Sequence, residues 1–144
     1  MRPSAIMIFA AGFGTRMGAL TQNTPKPLIQ VAGKALIDHA IDLVPNDVNT
    51  VVNSHYLPDQ LKAHLSNDIT LIQEDGEILE TGGGLRNAMP ALNSNPVYTM
   101  NSDAVWAGST PFENLLQNWD PNKITFQELI LEENESDYLS KPYP

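Results

Sequence analysis

The chain is organised as short apolar runs that alternate with stretches of helical periodicity. The first run, from Ala5 to Ala10, is continuously apolar and leads directly into the glycine turn Gly12-Phe13-Gly14. Such a run predicts a strand that is buried on both faces, which is typical of a parallel sheet. Further strands are predicted at 50–52, 69–72 and 97–100, and helices over about 35–44, 58–65, within 82–92 and over 112–119.

Strands that are separated by helices predict right-handed βαβ units. No tight hairpin is predicted, and residues 12–34 are expected to form a loop. We therefore predict an α/β fold of Rossmann-like type, with a mostly parallel sheet and helices on both faces. Ligands bind at the carboxyl ends of the strands in such sheets. The three most unusual segments, 10–16, 80–84 and 101–103, follow predicted strand ends or lie near them.

Composition narrows the classes of function. The 144 residues fall within the usual size of one domain. Lys and Arg number 8 and Asp and Glu number 17, for a net charge of −9, which argues against a duplex nucleic-acid binder because phosphate neutralisation needs clustered basic residues. The absence of cysteine excludes disulfides and thiolate metal sites. No apolar stretch resembles a membrane span, so we expect a cytoplasmic protein with neither nucleic acid nor membrane as a partner.

The segment after the first strand, Ala10-Ala11-Gly12-Phe13-Gly14-Thr15-Arg16-Met17, can bind an anion. Its glycines let the backbone approach a ligand closely, and successive N–H groups can form a nest around phosphate oxygens. Arg16 adds a planar fork that suits phosphate. The alternative is a tight turn with no ligand. The segment is not a P-loop, and its G-x-G-x-x-x-G spacing is one residue too long for the dinucleotide fingerprint, which disfavours a Rossmann-type oxidoreductase.

Later segments carry chemistry that also suits a nucleotide. Lys26 stands between two prolines that fix the backbone, so its ammonium can meet a phosphate as a point charge. Three consecutive glycines follow Glu80-Thr81 and favour close approach to a flat ligand such as a base. Asp103 follows a predicted strand and can hold Mg²⁺ together with substrate phosphates. Asn53 and His55 follow a predicted strand and are expected to line the same crevice. A structural hydrogen bond is expected for His55 in preference to the alternative, a general base, because an attacking phosphate needs none. Each segment alone also fits an ordinary loop, turn or cap.

In combination, these segments resemble the sugar-1-phosphate nucleotidylyltransferase family. The resemblance rests on the order and spacing of Ala-Ala-Gly-x-Gly-Thr-Arg-Met at 10–17, Thr-Pro-Lys-Pro-Leu at 24–28 and Val-Ala-Gly-Lys-Ala-Leu-Ile at 31–37. The segments at 52–57, 79–84 and 101–106 are similar to a bacterial branch that contains N-acetylmuramate α-1-phosphate uridylyltransferases and mannose-1-phosphate guanylyltransferase-like proteins. The resemblance covers residues 4–119.

The resemblance implies a reaction and a set of site residues. A nucleoside triphosphate, expected to be UTP, reacts with a sugar 1-phosphate, expected to be N-acetylmuramate 1-phosphate, and pyrophosphate leaves. The resemblance assigns catalysis to Arg16, at the β- and γ-phosphates, and to Lys26, at the α-phosphate. It assigns the Mg²⁺ ion to Asp103. The positions that it assigns to nucleotide binding are Ala11, Gly12, Gly14, Thr15, Glu80 and Gly82.

The match to the family pattern ends after about Trp119. The resemblance implies a longer enzyme, whose second half supplies a sugar-binding region and a second metal carboxylate. We therefore expect a chain that is shortened at its C-terminus, with a nucleotide-binding core at 1–120 and a divergent, partly disordered segment at 121–144. Two alternatives stay open: a catalytically impaired nucleotide-binding module, and a guanylyl- or cytidylyltransferase. A shortened sheet would expose an apolar flank that favours a homo-oligomer.

Overall fold

The structure is a computed structural model, and it describes residues 2–120. The described residues divide into two compact units, one that ends at Gly108 and one that begins at Ser109. The predicted C-terminal segment at 121–144 lies outside the described residues. No helix within residues 2–120 has both the length and the apolar character that a membrane crossing requires.

The first unit contains six strands and three α-helices. The strands are β1 (Ala5–Phe9), β2 (Gln30–Val31), β3 (Lys34–Ala35), β4 (Asn49–Ser54), β5 (Thr70–Gln73) and β6 (Tyr98–Asn101). The α-helices are α1 (Leu36–Ile41), α2 (Pro58–His64) and α3 (Glu80–Leu92), and short 3-10 helices span Thr15–Thr21 and Lys26–Leu28. The second unit contains α4 (Pro111–Asn118). Every strand and helix predicted within residues 2–120 is present, with shifts of a few residues at the ends.

Four of the strands form a parallel sheet in the order β5-β4-β1-β6. The central strand β1 pairs with both neighbours, and Met7 lies opposite Val51 on one side and Thr99 on the other. Ile6, Met7 and Ile8 are fully buried, so both faces of β1 are covered. The predicted α/β fold with a buried parallel sheet is confirmed.

The hydrophobic core on one face of the sheet is completed by α3. Ala88 and Leu92 of this helix form a buried cluster with Ala5, Met7 and Val51. Neighbouring residues along these strands point to the opposite face. The chain crosses from β1 to β4 to β5 in one direction and from β5 to β6 in the other. Right-handed connections therefore place α1 and α2 on the face opposite α3, which gives the predicted arrangement of helices on both faces.

Residues 12–34 are more structured than the predicted loop. β2 and β3 pair antiparallel around the turn Ala32-Gly33, where φ is 52° and 79°. Two successive positive φ angles are typical of the tight type I′ hairpin turn. The prediction that the chain has no tight hairpin is wrong. Each strand has only 2 residues, which is too short to show the alternation of apolar and polar residues that reveals a strand.

The direction of the connections reverses at β1. The chain leaves β1 toward β4 and β5, and it later returns to form β6 on the other side of β1. Where neighbouring connections leave in opposite directions, a crevice opens at the carboxyl ends of the strands. The segment at 10–16 follows β1, and the segment at 101–103 begins with the last residue of β6, at this edge. The fold thus places a crevice where the sequence predicts a binding site.

Candidate functional site

A cleft of about 280 Å³ opens at the carboxyl edge of the parallel sheet. Its walls come from the residues that end or follow β1, β4, β5 and β6, from the Pro-rich loop and from the start of α3. The predicted site residues that line it are Ala11, Gly12, Lys26, Glu80 and Asp103. Segments that are far apart in sequence therefore meet around one volume.

The other predicted site residues, Gly14, Thr15, Arg16 and Gly82, are not part of the cleft wall. Arg16 is exposed at the start of the 3-10 helix Thr15–Thr21. Within residues 2–120 its guanidinium forms no ion pair with a carboxylate. The side chain is thus available to an anion that extends beyond the cleft.

Lys26 and Asp103 form an ion pair in the cleft wall. The Lys26 Nζ donates to Asp103 Oδ2, and the two side chains are 32% and 37% exposed. A pair with this exposure contributes at most about 1 kcal/mol to stability. The pair is therefore weakly held, and it places a cation and an anion beside each other where a phosphate and a metal ion could compete for them.

Gly14 determines how closely the glycine loop approaches Lys26. Its φ is +65°, and a Cβ at this position would lie 2.9 Å from both the Lys26 Cβ and the Thr21 Cγ2. The Thr21 hydroxyl donates to the Gly14 carbonyl at 3.0 Å. Gly14 therefore acts by fitting the loop against the lysine stem, although it does not line the cleft.

Replacing Gly14 with alanine is expected to lower the free energy of unfolding by at least about 1–2 kcal/mol, because the left-handed backbone alone costs that much. Gly12→Ala is the matched control, since a Cβ there meets nothing within 4 Å. We expect Gly12→Ala to keep the stability of the parent chain and to weaken nucleotide binding, because Gly12 lines the cleft. Urea unfolding and calorimetry measure the two effects, and equal stability of the variants would contradict the prediction.

A buried pair of polar side chains, Asn53 and Glu74, forms part of the cleft wall. The Asn53 Oδ1 accepts a hydrogen bond from the Ala10 backbone N–H at 2.8 Å, and its Nδ2 donates to Glu74 Oε1 at 2.7 Å. The Glu74 Oε2 accepts from the Leu79 backbone N–H at 3.0 Å. Both side chains are only 3% exposed. Asn53 lines the crevice as expected.

Sequence reasoning missed Glu74. It stands in an acidic stretch, Glu74-Asp75-Gly76-Glu77, which is typical of a solvated loop. The one signal that could have found it is its place directly after β5, at the edge of the sheet where the other site residues lie.

His55 has a structural role next to the cleft and does not line it. Its Nδ1 lies 3.0 Å from the backbone carbonyl oxygen of Glu74. Its ring meets that of Phe13 edge-on, with 5.2 Å between centroids, and Phe13 also packs against Tyr56 at 5.8 Å. The expectation that His55 lines the crevice is therefore wrong, while its expected structural hydrogen bond is present. These contacts hold the glycine loop against the segment after β4.

Glu80 has a strained backbone where it lines the cleft. Its φ is +58° at the first residue of α3. A non-glycine residue in this region costs about 1–3 kcal/mol, and such strain concentrates at ligand sites. The strain is an independent indication that this part of the cleft is shaped for a ligand.

Comparison with known proteins identifies the family. The model of the MobA-like NTP transferase domain matches residues 6–129. The chain belongs to this family. The match continues beyond Trp119, where the motifs in the sequence end, and it confirms the nucleotidyltransferase resemblance.

Two relatives are nucleotidyltransferases for sugar 1-phosphates by name. N-acetylmuramate alpha-1-phosphate uridylyltransferase of Caulobacter vibrioides is 42% identical over 135 residues, and the match covers 85% of this chain and 55% of the relative. A mannose-1-phosphate guanyltransferase of Gibberella zeae is 33% identical over 120 residues, covering 76% of this chain and 32% of the relative. The chain therefore spans about half the length of the first relative and about a third of the second.

A solved structure supports the fold. HddC from Yersinia pseudotuberculosis is 24% identical, with a TM-score of 0.55, and the match covers 69% of this chain and 48% of that chain. At this identity the likeness concerns the fold alone. This chain thus shares its parallel α/β architecture with a solved protein of about twice the matched length.

Proposed function

We propose that this chain transfers a nucleotide from UTP to a sugar 1-phosphate, N-acetylmuramate 1-phosphate, with release of pyrophosphate. The observation that carries the proposal is the cleft in which Lys26 faces Asp103 between the glycine loop and the start of α3. UTP and the amino-sugar phosphate are chosen because of the 42% identity to the uridylyltransferase of Caulobacter vibrioides. A cytoplasmic location belongs to the same proposal.

The proposed reaction exchanges one phosphorus–oxygen bond for another. A phosphate oxygen of the sugar 1-phosphate attacks the α-phosphorus of UTP in line. The bond from the α-phosphorus to the bridging oxygen breaks, and its electron pair leaves with pyrophosphate. The attacking oxygen is already ionised, so no general base is needed. Positioning and charge neutralisation supply the catalysis.

Two cations of the chain act on the phosphates in this proposal. Lys26 neutralises the charge that grows on the α-phosphate, because it lines the cleft and its Nζ lies beside Asp103. Arg16, which is exposed beside the glycine loop, neutralises the leaving pyrophosphate. The backbone at Ala11 and Gly12 holds the nucleotide, Gly14 and Thr15 shape the loop, and the backbone at Glu80 and Gly82 lies against the base.

Asp103 fits a Mg²⁺ ion that the protein and the substrate hold together. Its carboxylate is 37% exposed in the cleft wall. Within residues 2–120 no group of three or more His, Cys, Asp or Glu could hold a metal ion by itself. One protein carboxylate with substrate phosphates is a usual set of ligands for Mg²⁺. The ion, when bound, would neutralise phosphate charge.

Asp103→Asn is expected to remove the effect of Mg²⁺ on UTP binding. In the parent chain, Mg²⁺ should tighten the Kd for UTP by about tenfold, which corresponds to about 1.4 kcal/mol. In the variant, the Kd should be the same with Mg²⁺ and with EDTA. Asp59→Asn, at an exposed carboxylate on α2, is the control and should behave like the parent chain. Equal Mg²⁺ dependence in all three would remove Asp103 from the metal site.

Arg16→Ala is expected to weaken UTP binding by about 10- to 100-fold, since a hydrogen bond to a charged group contributes about 1.5–3 kcal/mol. Calorimetry measures the Kd. Arg86→Ala, at an exposed arginine on α3, is the matched control, and a similar effect of both substitutions would indicate a general loss of positive charge.

The proposed function is tested by incubating the chain with N-acetylmuramate 1-phosphate, Mg²⁺ and each nucleoside triphosphate in turn, with pyrophosphate as the readout. Release that depends on UTP supports the proposal. Release that depends on GTP or CTP would favour the guanylyl- or cytidylyltransferase alternative. The absence of both pyrophosphate release and nucleotide binding would overturn the proposed function.

A nucleotide-binding module without turnover is the second candidate. It is favoured by one observation, that the match covers only 55% of the uridylyltransferase of Caulobacter vibrioides. Calorimetry with UTP and Mg²⁺ separates the candidates, because binding without pyrophosphate release is the result expected for the module.

A further inference from the structure

We propose that Asn53 and Glu74 are positioning residues that hold the two walls of the cleft at the spacing a nucleotide requires. This inference rests on the proposed function, since it concerns the nucleotide site of the same cleft. One wall begins at Ala10, which leads into the glycine loop. The other begins at Leu79, which leads into Glu80 and α3. The Asn53–Glu74 pair is bonded to both walls.

The hydrogen bonds from Ala10 through Asn53 and Glu74 to Leu79 form one series. The backbone groups at the two ends of this series fix the direction of every bond in it. The Ala10 N–H can only donate, so the Asn53 oxygen must face it, and the Asn53 amide group must then face Glu74. The Leu79 N–H can only donate as well. Glu74 must therefore accept at both oxygens, which a carboxylate does and an amide cannot.

Because both side chains are buried, the arrangement is stable only if all of its hydrogen bonds are made. Asn53 and Glu74 are each 3% exposed, and within residues 2–120 no Lys, Arg or His forms an ion pair with Glu74. Two N–H donors compensate the carboxylate, and one of them lies at the positive end of α3. A lost bond would leave a polar group unpaired in the interior, which is costly. The pair therefore fixes the distance between the Ala10 and Leu79 backbones.

Single substitutions that keep the shape of the pair should disrupt its pattern of hydrogen-bond donors and acceptors. Glu74→Gln puts an NH₂ group opposite a donor, either the Asn53 amide or the Leu79 N–H. Asn53→Asp puts two carboxylates in contact. We expect each variant to raise the Kd for UTP by about tenfold or more, because each leaves a buried polar group without its partner.

The double variant Asn53→Asp/Glu74→Gln should restore the pattern with its middle bond reversed. The new carboxylate at position 53 accepts from the Ala10 N–H and from the new amide at position 74. The oxygen of that amide accepts from the Leu79 N–H. The net charge is the same as in the parent chain. We expect the Kd for UTP to return to within about threefold of the parent value, a strong departure from additivity.

Leu92→Ala is the control for a purely structural loss. Leu92 lies in the core between α3 and the sheet, away from the cleft. This variant should melt at a lower temperature and keep the parent Kd for UTP. All Kd values are measured below the melting transition of each variant, so that unfolding does not contribute. A Kd in Leu92→Ala that rises as much as in the single variants would overturn the positioning role.

A second readout needs no nucleotide. Amide hydrogen exchange at Ala10 and Leu79 should accelerate in both single variants and slow again in the double variant. If the parent chain binds UTP and the single variants bind it equally well, the positioning role is overturned and the proposed function stands. If the parent chain binds none of UTP, GTP and CTP, the proposed function fails together with the nucleotide role of the pair, whatever the exchange rates. Additive Kd effects in the double variant would also overturn the positioning role.

Discussion

Replacing Lys26 with methionine is expected to lower kcat/KM for the nucleotide by about 100- to 1,000-fold, as does the loss of one preorganised donor at a developing charge. The lysine stem packs against Gly14, and methionine preserves an unbranched stem of similar length. The two side chains of the ion pair with Asp103 are 32% and 37% exposed, so its loss should change the free energy of unfolding by less than about 1 kcal/mol. The effect on turnover should therefore appear without a comparable effect on stability.

The division of the Lys26→Met effect between kcat and KM reports what the lysine does. Charge on the α-phosphate grows in the transition state, so a catalytic lysine should affect kcat more than KM. Pyrophosphate release measures both. Lys62→Met, at an exposed lysine on α2, is the matched control and should match the parent chain. A loss confined to KM would show that Lys26 binds the nucleotide equally in the ground state and the transition state.

The parts of the fold that could be predicted are those that leave a continuous trace in the sequence. β1 is apolar at every position from Ala5 to Phe9, because a parallel strand is buried on both faces. The hairpin of β2 and β3 left no such trace. Its turn at Ala32-Gly33 places an alanine at a φ of 52°, where a turn motif would show asparagine or aspartate.

The residues of the candidate site also differ in whether the sequence could predict them. Gly12, Lys26 and Asp103 stand in unusual local sequence, and the structure brings all three to one cleft. Glu74 could not be predicted, because its burial is created by Asn53 and Leu79, which come from other parts of the chain. The position of a residue in a motif also does not specify whether that residue lines the cleft. Arg16 stands in the same motif as Gly12, and yet it does not line the cleft.

The run of three glycines at the start of α3 gives the sharpest test of the packing around the Asn53–Glu74 pair. A Cβ at Gly84 would lie 2.8 Å from Glu74 Oε1 and 2.9 Å from Asn53 Nδ2, whereas a Cβ at Gly82 would meet nothing within 4 Å. Gly84→Ala is expected to lower the free energy of unfolding by about 1–5 kcal/mol in total, since overpacking costs about 1–3 kcal/mol and a displaced buried hydrogen bond about 1–3 kcal/mol more. The better helix propensity of alanine offsets about 1 kcal/mol of this loss.

Gly82→Ala is the matched control for Gly84→Ala, with the same substitution in the same helix. It has the gain in propensity without the clash, so the free energy of unfolding should rise by about 0.5–1 kcal/mol. Urea unfolding of the two variants measures both changes. A loss in both would mean that α3 does not tolerate alanine at its start for reasons of backbone geometry. A gain in both would mean that the carboxylate of Glu74 can move away from α3, and the close contact of Gly84 with the pair would then not hold the helix in place.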